Sequence, residues 1–321
     1  MKRRLVRSAL AIAVSGGLLA WLLSRLELGP ALDRLASADP SAVASAGLFS
    51  FLVLLLRAHR FSVLTRAAGL EITTPAVAIQ VFLNRITPFR LGEISLPLLL
   101  RRHAGVDLAS SLVVLVFVRL LDLAIVVWAI GLSLALGPTG ANLPMLGAAS
   151  FLLVVLVSTF RLWLGGLLRA ARALWTRAAR GRWSGADRAL DKLLAATSQA
   201  KRLAGRDYAK VALASLGIFA GQTALFGAIL LAYGIRLPLF SLARGAAVAQ
   251  AGSAVPVAAV GTIGTHEASW VAGFVWVGVP VEEAIVTGIA GQLLTLAFAA
   301  CFALPAWIWL QRRRPPALEG S

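Results

Sequence analysis

Residues 75–100 read PAVAIQVFLNRITPFRLGEISLPLLL, a stretch long and apolar enough to cross a bilayer. It is interrupted at its centre by Asn84-Arg85-Ile86-Thr87-Pro88-Phe89-Arg90-Leu91-Gly92-Glu93. One lipid-facing helix cannot run through it, because Pro88 and Gly92 break the ladder and ionisable groups would lie in hydrocarbon. Non-helical backbone at membrane depth is tolerated only where protein or a water-filled cavity covers it. Half of the stretch is about 13 residues, or roughly 20 Å of helix, enough to reach the midplane and return. The stretch predicts a re-entrant helical hairpin; the alternative is a polar surface loop between two short interfacial helices. Residues 239–278 repeat the pattern, broken at Gly252-Ser253-Ala254-Val255-Pro256 and again at Gly261-Thr262-Ile263-Gly264-Thr265-His266-Glu267.

The rest of the chain sets these breaks in a membrane. Of its 321 residues 59% are hydrophobic and only 14% charged, and the mean hydropathy of +0.83 excludes a soluble catalytic domain with a polar surface. The apolar residues fall in blocks of about twenty, matching a hydrocarbon core of ~30 Å, and they do not alternate as barrel strands would. Six full spans are predicted at residues 5–24, 41–57, 110–136, 144–165, 208–233 and 284–310. The first follows Met-Lys-Arg-Arg and resembles a signal peptide, yet it is read as a retained span because no small-residue cleavage site precedes Arg25. Cys301, the one cysteine, rules out an intrachain disulfide or a cysteine-based metal site and is expected to pack in an apolar block.

The net charge of +17 does not indicate nucleic-acid binding, because the basic residues border the apolar blocks and report topology. With Met1 cytoplasmic, alternating spans and both broken segments re-entrant, most of the 31 Lys and Arg residues face the cytoplasm, including those at 57–66. Arg25, Arg34, Arg236 and Arg244 lie opposite, and Arg85, Arg90 and Arg119 lie at membrane depth. The predicted fold is an all-α polytopic membrane protein with six spans and two oppositely oriented hairpins, each hairpin between two spans. This is the inverted-repeat plan in which paired broken segments mark a substrate site. The chain reads as a single integral-membrane domain, 1–321. It comprises a first half at 1–165, a basic linker at 166–206 lying on anionic headgroups, a second half at 207–311 and a short basic tail at 312–321.

The candidate site residues gather at the breaks. Arg85, Arg90 and Glu93, with Asn84, surround the first break, where a helix N-terminus and two arginines favour a phosphate group. Glu93 pairing with an arginine to hold the hairpin is the structural alternative. In the second hairpin Thr265 is the expected N-cap, and His266 and Glu267 are either first-turn residues or a titratable pair for proton coupling. Gln222, Gln250 and Gln292 are candidate cavity or interhelical hydrogen-bonding residues. Arg119 and Asp122, three apart and near the midplane, are expected to pair as a structural clamp. Pro88, Gly92, Pro256, Gly261 and Gly264 are the residues that break the hairpins. Neither a nucleophile-base pair nor a metal-ligand set is evident, so no enzyme activity, metal or cofactor is expected.

The stretch from Asn84 to Glu93, followed by Leu98-Leu99-Leu100-Arg101-Arg102 and by Arg119-Leu120-Leu121-Asp122, resembles the integral-membrane domain of bacterial lysylphosphatidylglycerol synthases and related stand-alone flippase-like proteins. Val255-Pro256, Gly261, Gly264 and Glu267 are similar to that family's second motif, with Ala259-Val260-Gly261-Thr262 replacing its adjacent glycines. The resemblance implies movement of an anionic or lipid-linked headgroup between leaflets of a bacterial cytoplasmic membrane. On this reading membrane lipids are the partners, Arg85 and Arg90 hold the phosphate, and Glu93 and Glu267 shape the cavity. Family synthases carry aminoacyl transfer in a separate soluble domain, so no such activity is expected here. The alternative is a non-catalytic scaffold or accessory subunit for a lipid- or glycan-modifying enzyme.

Overall fold

The computed structural model describes residues 37–66, 68–87, 92–135, 205–252 and 264–313, with short stretches between 144 and 173. Eight helices are described along their length: α1 (Pro40–Thr65), α2 (Leu70–Ile86), α3 (Gly92–Ala104), α4 (Leu108–Ala135), α5 (Gly205–Ala232), α6 (Leu239–Gly252), α7 (Thr265–Trp276) and α8 (Val281–Arg312). Among the described residues there are no strands. The predicted span at 5–24, most of that at 144–165, most of the basic linker, and Pro88, Arg90, Pro256 and Gly261 lie outside the described residues.

Local chemistry sets the helix ends. Asp39 caps α1 by accepting hydrogen bonds from the Ser41 N–H at 3.1 Å and the Ser41 hydroxyl at 2.7 Å, with Pro40 at the start of the helix. Asp107 does the same for α4, accepting from the Ser110 N–H at 3.0 Å. α1 ends where Arg66 turns left-handed at φ 51° and its N–H donates to the Ser62 carbonyl. The helix therefore continues past residue 57, where the second predicted span was expected to stop. Phe61, Val63 and Leu64 extend the apolar face beyond the two arginines, so Arg57 and Arg60 leave the cytoplasmic flank and become interior helix residues.

α1, α4, α5 and α8 have spans of 26, 28, 27 and 32 residues, long and apolar enough to cross a membrane. The protein is a polytopic α-helical membrane protein. Between these helices lie two pairs of shorter ones, α2 with α3 and α6 with α7, each packed on its partner across a break. Large apolar side chains point outward, as with Leu213 at 68% and Leu293 at 57% exposure, the arrangement expected against lipid. Cys301 also lies on the exposed surface of α8, which corrects the expectation that it packs inside.

The core is divided in two. One cluster joins α1 to α4 and takes in Val211 from the start of α5; the other joins α5 to α8 and takes in Ala42 and Ala46 from the start of α1. α1 and α5 pack antiparallel along their length. The Asp39 N–H donates to the Ala232 carbonyl at one end, and Arg66 pairs with Asp207 at the other. Gly217 and Gly221 of α5 allow this approach, since a Cβ on them would lie 3.2 Å from Leu56 and 2.9 Å from Val53. The remaining contacts match when the halves are exchanged: α2 packs on α8 and α6 on α4.

Glycines also bring α6 and α7 together. A Cβ at Gly273 would lie 2.4 Å from the Gly245 carbonyl oxygen, and one at Gly252 would lie 2.1 Å from the Ser269 Cβ. Gly273→Leu is therefore expected to destabilise the protein by about 1–3 kcal/mol. Leu213→Ala, on the lipid-facing surface, serves as the control and should change stability little. Thermal unfolding of the detergent-extracted variants checks this, and equal melting temperatures for Gly273→Leu and wild type would mean that the two arms do not pack this closely.

Candidate functional site

Between the two apolar cores lies a polar cavity of about 120 Å³, room for several waters. α1 contributes Arg57 and Arg60, α2 contributes Gln80, Asn84 and Arg85, and α4 contributes Arg119 and Asp122. Gln222 and Phe226 of α5 and His266 of α7 complete much of the wall. Asn84 and Arg85 stand at the end of α2 beside the first break, and His266 stands at the start of α7 beside the second. The cavity thus unites the broken ends of both helix pairs.

The turn into α3 is tight. The Gly92 N–H donates to the Thr87 hydroxyl at 3.1 Å, and a Cβ at Gly92 would lie 2.4 Å from the Asn84 backbone nitrogen. Only glycine lets the chain return this close to α2, which holds Asn84 and Arg85 at the cavity. On the other side Gly264, at φ 86°, is the N-cap of α7. The expected cap was Thr265, one residue later; the left-handed turn of Gly264 starts the helix earlier. The buried Glu267 folds back so that its Oε2 accepts the Gly264 N–H at 2.7 Å. Glu267 thus secures the helix start, while its neighbour His266 reaches the cavity wall between Phe226 and Trp270, at ring-centroid separations of 6.3 and 6.1 Å.

The ion pairs differ from the sequence expectation. Arg60, only 2% exposed, grips Asp122 with both terminal nitrogens, Nη1 to Oδ1 and Nη2 to Oδ2 at 3.1 Å, and Nη1 also donates to Ser215 Oγ at 2.8 Å. Arg119 donates to Glu93 Oε1 of α3 at 2.6 Å. Arg119 and Asp122 therefore do not form the clamp expected from their spacing. Sharing a helix face aligns two side chains, but the fork of Arg60 offers Asp122 a bidentate contact that a neighbour on its own helix does not.

Two further arginines rest on neutral amides. Arg57 donates to Gln222 Oε1 at 2.8 Å, and Arg85 donates to Gln292 Oε1 at 3.2 Å. Gln250, on α6, is not part of this cavity's wall. Four guanidinium groups thus line the cavity with one carboxylate, Asp122, in its wall and a second, Glu93, holding Arg119. Among the described residues no carboxylate forms a salt bridge with Arg57. Arg57, Arg60 and Gln80 were missed as site residues. The usable signal was the apolar run of Phe61, Val63 and Leu64 beyond the two arginines, which places them inside a longer helix. A positive excess among membrane-spanning helices is costly unless negative charge offsets it.

Asp122→Asn leaves Arg60 buried without its carboxylate and is expected to cost about 3–5 kcal/mol. Ser215→Ala, which removes one hydrogen bond to the same group, should cost about 1 kcal/mol. Extracted yield and melting temperature of the two variants give the comparison, and wild-type stability for Asp122→Asn would overturn the assignment of this pair as a structural tie.

Searches of curated proteins and of solved structures give no match. Residues 8–303, nearly the whole chain, match the family described as the lysylphosphatidylglycerol synthase TM region, and the protein belongs to that family of membrane proteins.

Proposed function

We propose that this protein is a lipid transporter that passes an anionic headgroup between the leaflets of the bacterial cytoplasmic membrane, and that it catalyses no covalent chemistry. The observation that carries the reading is the excess of arginine over carboxylate in a cavity walled by α1, α4 and α5, which are long enough to span a membrane, and by the broken ends of α2 and α7. The phosphate of a lipid headgroup would sit against Arg57 and Arg85, which line the cavity and donate to the amides of Gln222 and Gln292. Arg90, beside the first break, would extend this set. The headgroup crosses through the polar interior while the acyl chains stay in lipid. His266, in the cavity wall, is the group that protonation near neutral pH would charge.

In this reading α2 with α3 and α6 with α7 are re-entrant hairpins entering from opposite sides, and the two halves form an inverted repeat. The antiparallel contact of α1 with α5 and the matched packing of α2 on α8 and α6 on α4 support it. So does the lending of each half's first helix to the other half's core. Such pairing follows when two copies of one unit are related by an axis in the membrane plane. Both termini and the segment 166–206 then face the cytoplasm, because that orientation places most basic residues inside.

Leaflet exchange in liposomes containing the purified protein tests the function, using labelled phosphatidylglycerol, an aminoacylated phosphatidylglycerol, a polyprenyl phosphate and phosphatidylcholine. At least one anionic or phosphate-bearing lipid should move, and Arg57→Gln or Arg85→Gln should slow it about tenfold or more, the loss of one charge-assisted hydrogen bond. Normal exchange in both folded variants would reject the phosphate site, and movement of none of the lipids would favour a scaffold. Reporter fusions after residues 140, 206 and 321 check the orientation separately. An outward-facing reporter after 206 or 321 would refute it.

A further inference from the structure

A second and larger cavity, about 490 Å³, opens where α2 and α3 part and the C-terminal end of α8 lies against them. It is amphipathic. Ile79, Leu99, Leu310 and Trp307 make an apolar floor, and Arg102, Arg312 and Arg313 line it together with His103 and Gln311. Among the described residues no carboxylate lines it, and none of the three arginines forms a salt bridge. The Arg313 guanidinium lies over the Trp309 ring, 4.1 Å from its centroid, which holds its charge near the rim. Trp307 and Trp309, 48% and 37% exposed, stand at the end of a membrane-spanning helix, where aromatic rings mark the interface between hydrocarbon and headgroups.

We propose that this cavity is a binding site for one anionic glycerophospholipid of the adjoining leaflet, distinct from the central cavity. Its phosphate sits among Arg102, Arg312 and Arg313, and the upper part of its acyl chains lies on Ile79, Leu99 and Trp307. The volume falls within the range of about 300–1,000 Å³ typical of small-molecule sites. Basic pockets between helices at a membrane surface select anionic headgroups by the same electrostatics. A free phosphate would satisfy the arginines but leave the apolar floor uncovered. A zwitterionic lipid would cover the floor but bring no net charge to the three guanidinium groups.

The site has a mechanical consequence. It spans the α2–α3 pair and α8, and these carry Arg85 and the Gln292 that receives its hydrogen bond. A lipid bound here holds α2 against α8 and so steadies the Arg85 contact at the central cavity. The inference does not depend on the central cavity moving lipid, because it concerns binding at another place.

Melting of the purified full-length protein in detergent, titrated with phosphatidylglycerol, phosphatidylcholine or inorganic phosphate, tests it. Phosphatidylglycerol should raise the melting temperature of the wild type, and phosphatidylcholine and phosphate should not. Arg102→Gln/Arg312→Gln/Arg313→Gln, all at exposed positions, should need on the order of tenfold or more phosphatidylglycerol for the same shift. Arg236→Gln, exposed and outside the lining of both cavities, should respond as wild type does. If the triple variant proves unstable without lipid, Arg102→Gln alone should show a smaller weakening in the same direction. An unchanged titration in the arginine variants, an equal shift from phosphatidylcholine, or an equal shift from inorganic phosphate would each overturn the proposal.

Discussion

A guanidinium group cannot be left uncompensated among membrane-spanning helices, and the fold is arranged around one that is fully enclosed. Arg60 is 2% exposed, and its fork is filled by Asp122 of α4 and Ser215 of α5. In one contact three long helices are fixed in rotation and height relative to one another. Desolvating such a pair is expensive, and it gives little net stability compared with an apolar replacement. Its value is geometric: any slide of α1 against α4 or α5 exposes a bare charge. The glycines at 217 and 221 bring α1 and α5 close, and the Arg60 tie sets the register of that contact.

With those helices fixed, the broken pairs supply the rest of the cavity. Gly92 lets the chain return against the end of α2, and Gly264 with Glu267 starts α7 at the opposite wall. Neither break is a flaw in a helix. Each brings a helix end and its polar side chains into an interior that a continuous apolar helix would have filled with Leu and Val. The resulting chamber has carboxylates for Arg60 and Arg119, and amides that accept hydrogen bonds from Arg57 and Arg85.

The two cavities differ in character. The central one is small and walled by arginine, glutamine and asparagine, whereas the one at the end of α8 is larger and has an apolar floor. α2 contributes to the walls of both, and it packs on α8, whose end lines the larger one.

Composition and patterning alone determined that this is an α-helical membrane protein, because 59% apolar residues in blocks of about twenty have no other stable home. The breaks near residues 84–93 and 252–267 were legible too, since proline, glycine and charge in an apolar run are local signals. Asn84, Arg85, Gln222 and His266 stood out as well, each unusual in its apolar surroundings, and all four line the central cavity. Partner choice was not legible. Spacing put Arg119 and Asp122 on one face, but which opposite charge each would meet depended on α1 and α3, remote in sequence, and the fork geometry of Arg60 decided it. Arg57 and Arg60 were read as a flank because a charge pair after an apolar run looks the same from either side of a helix end. Only the continuation of α1 to Thr65, and the helices packed around it, turned those two residues from a topological signal into the wall of a site.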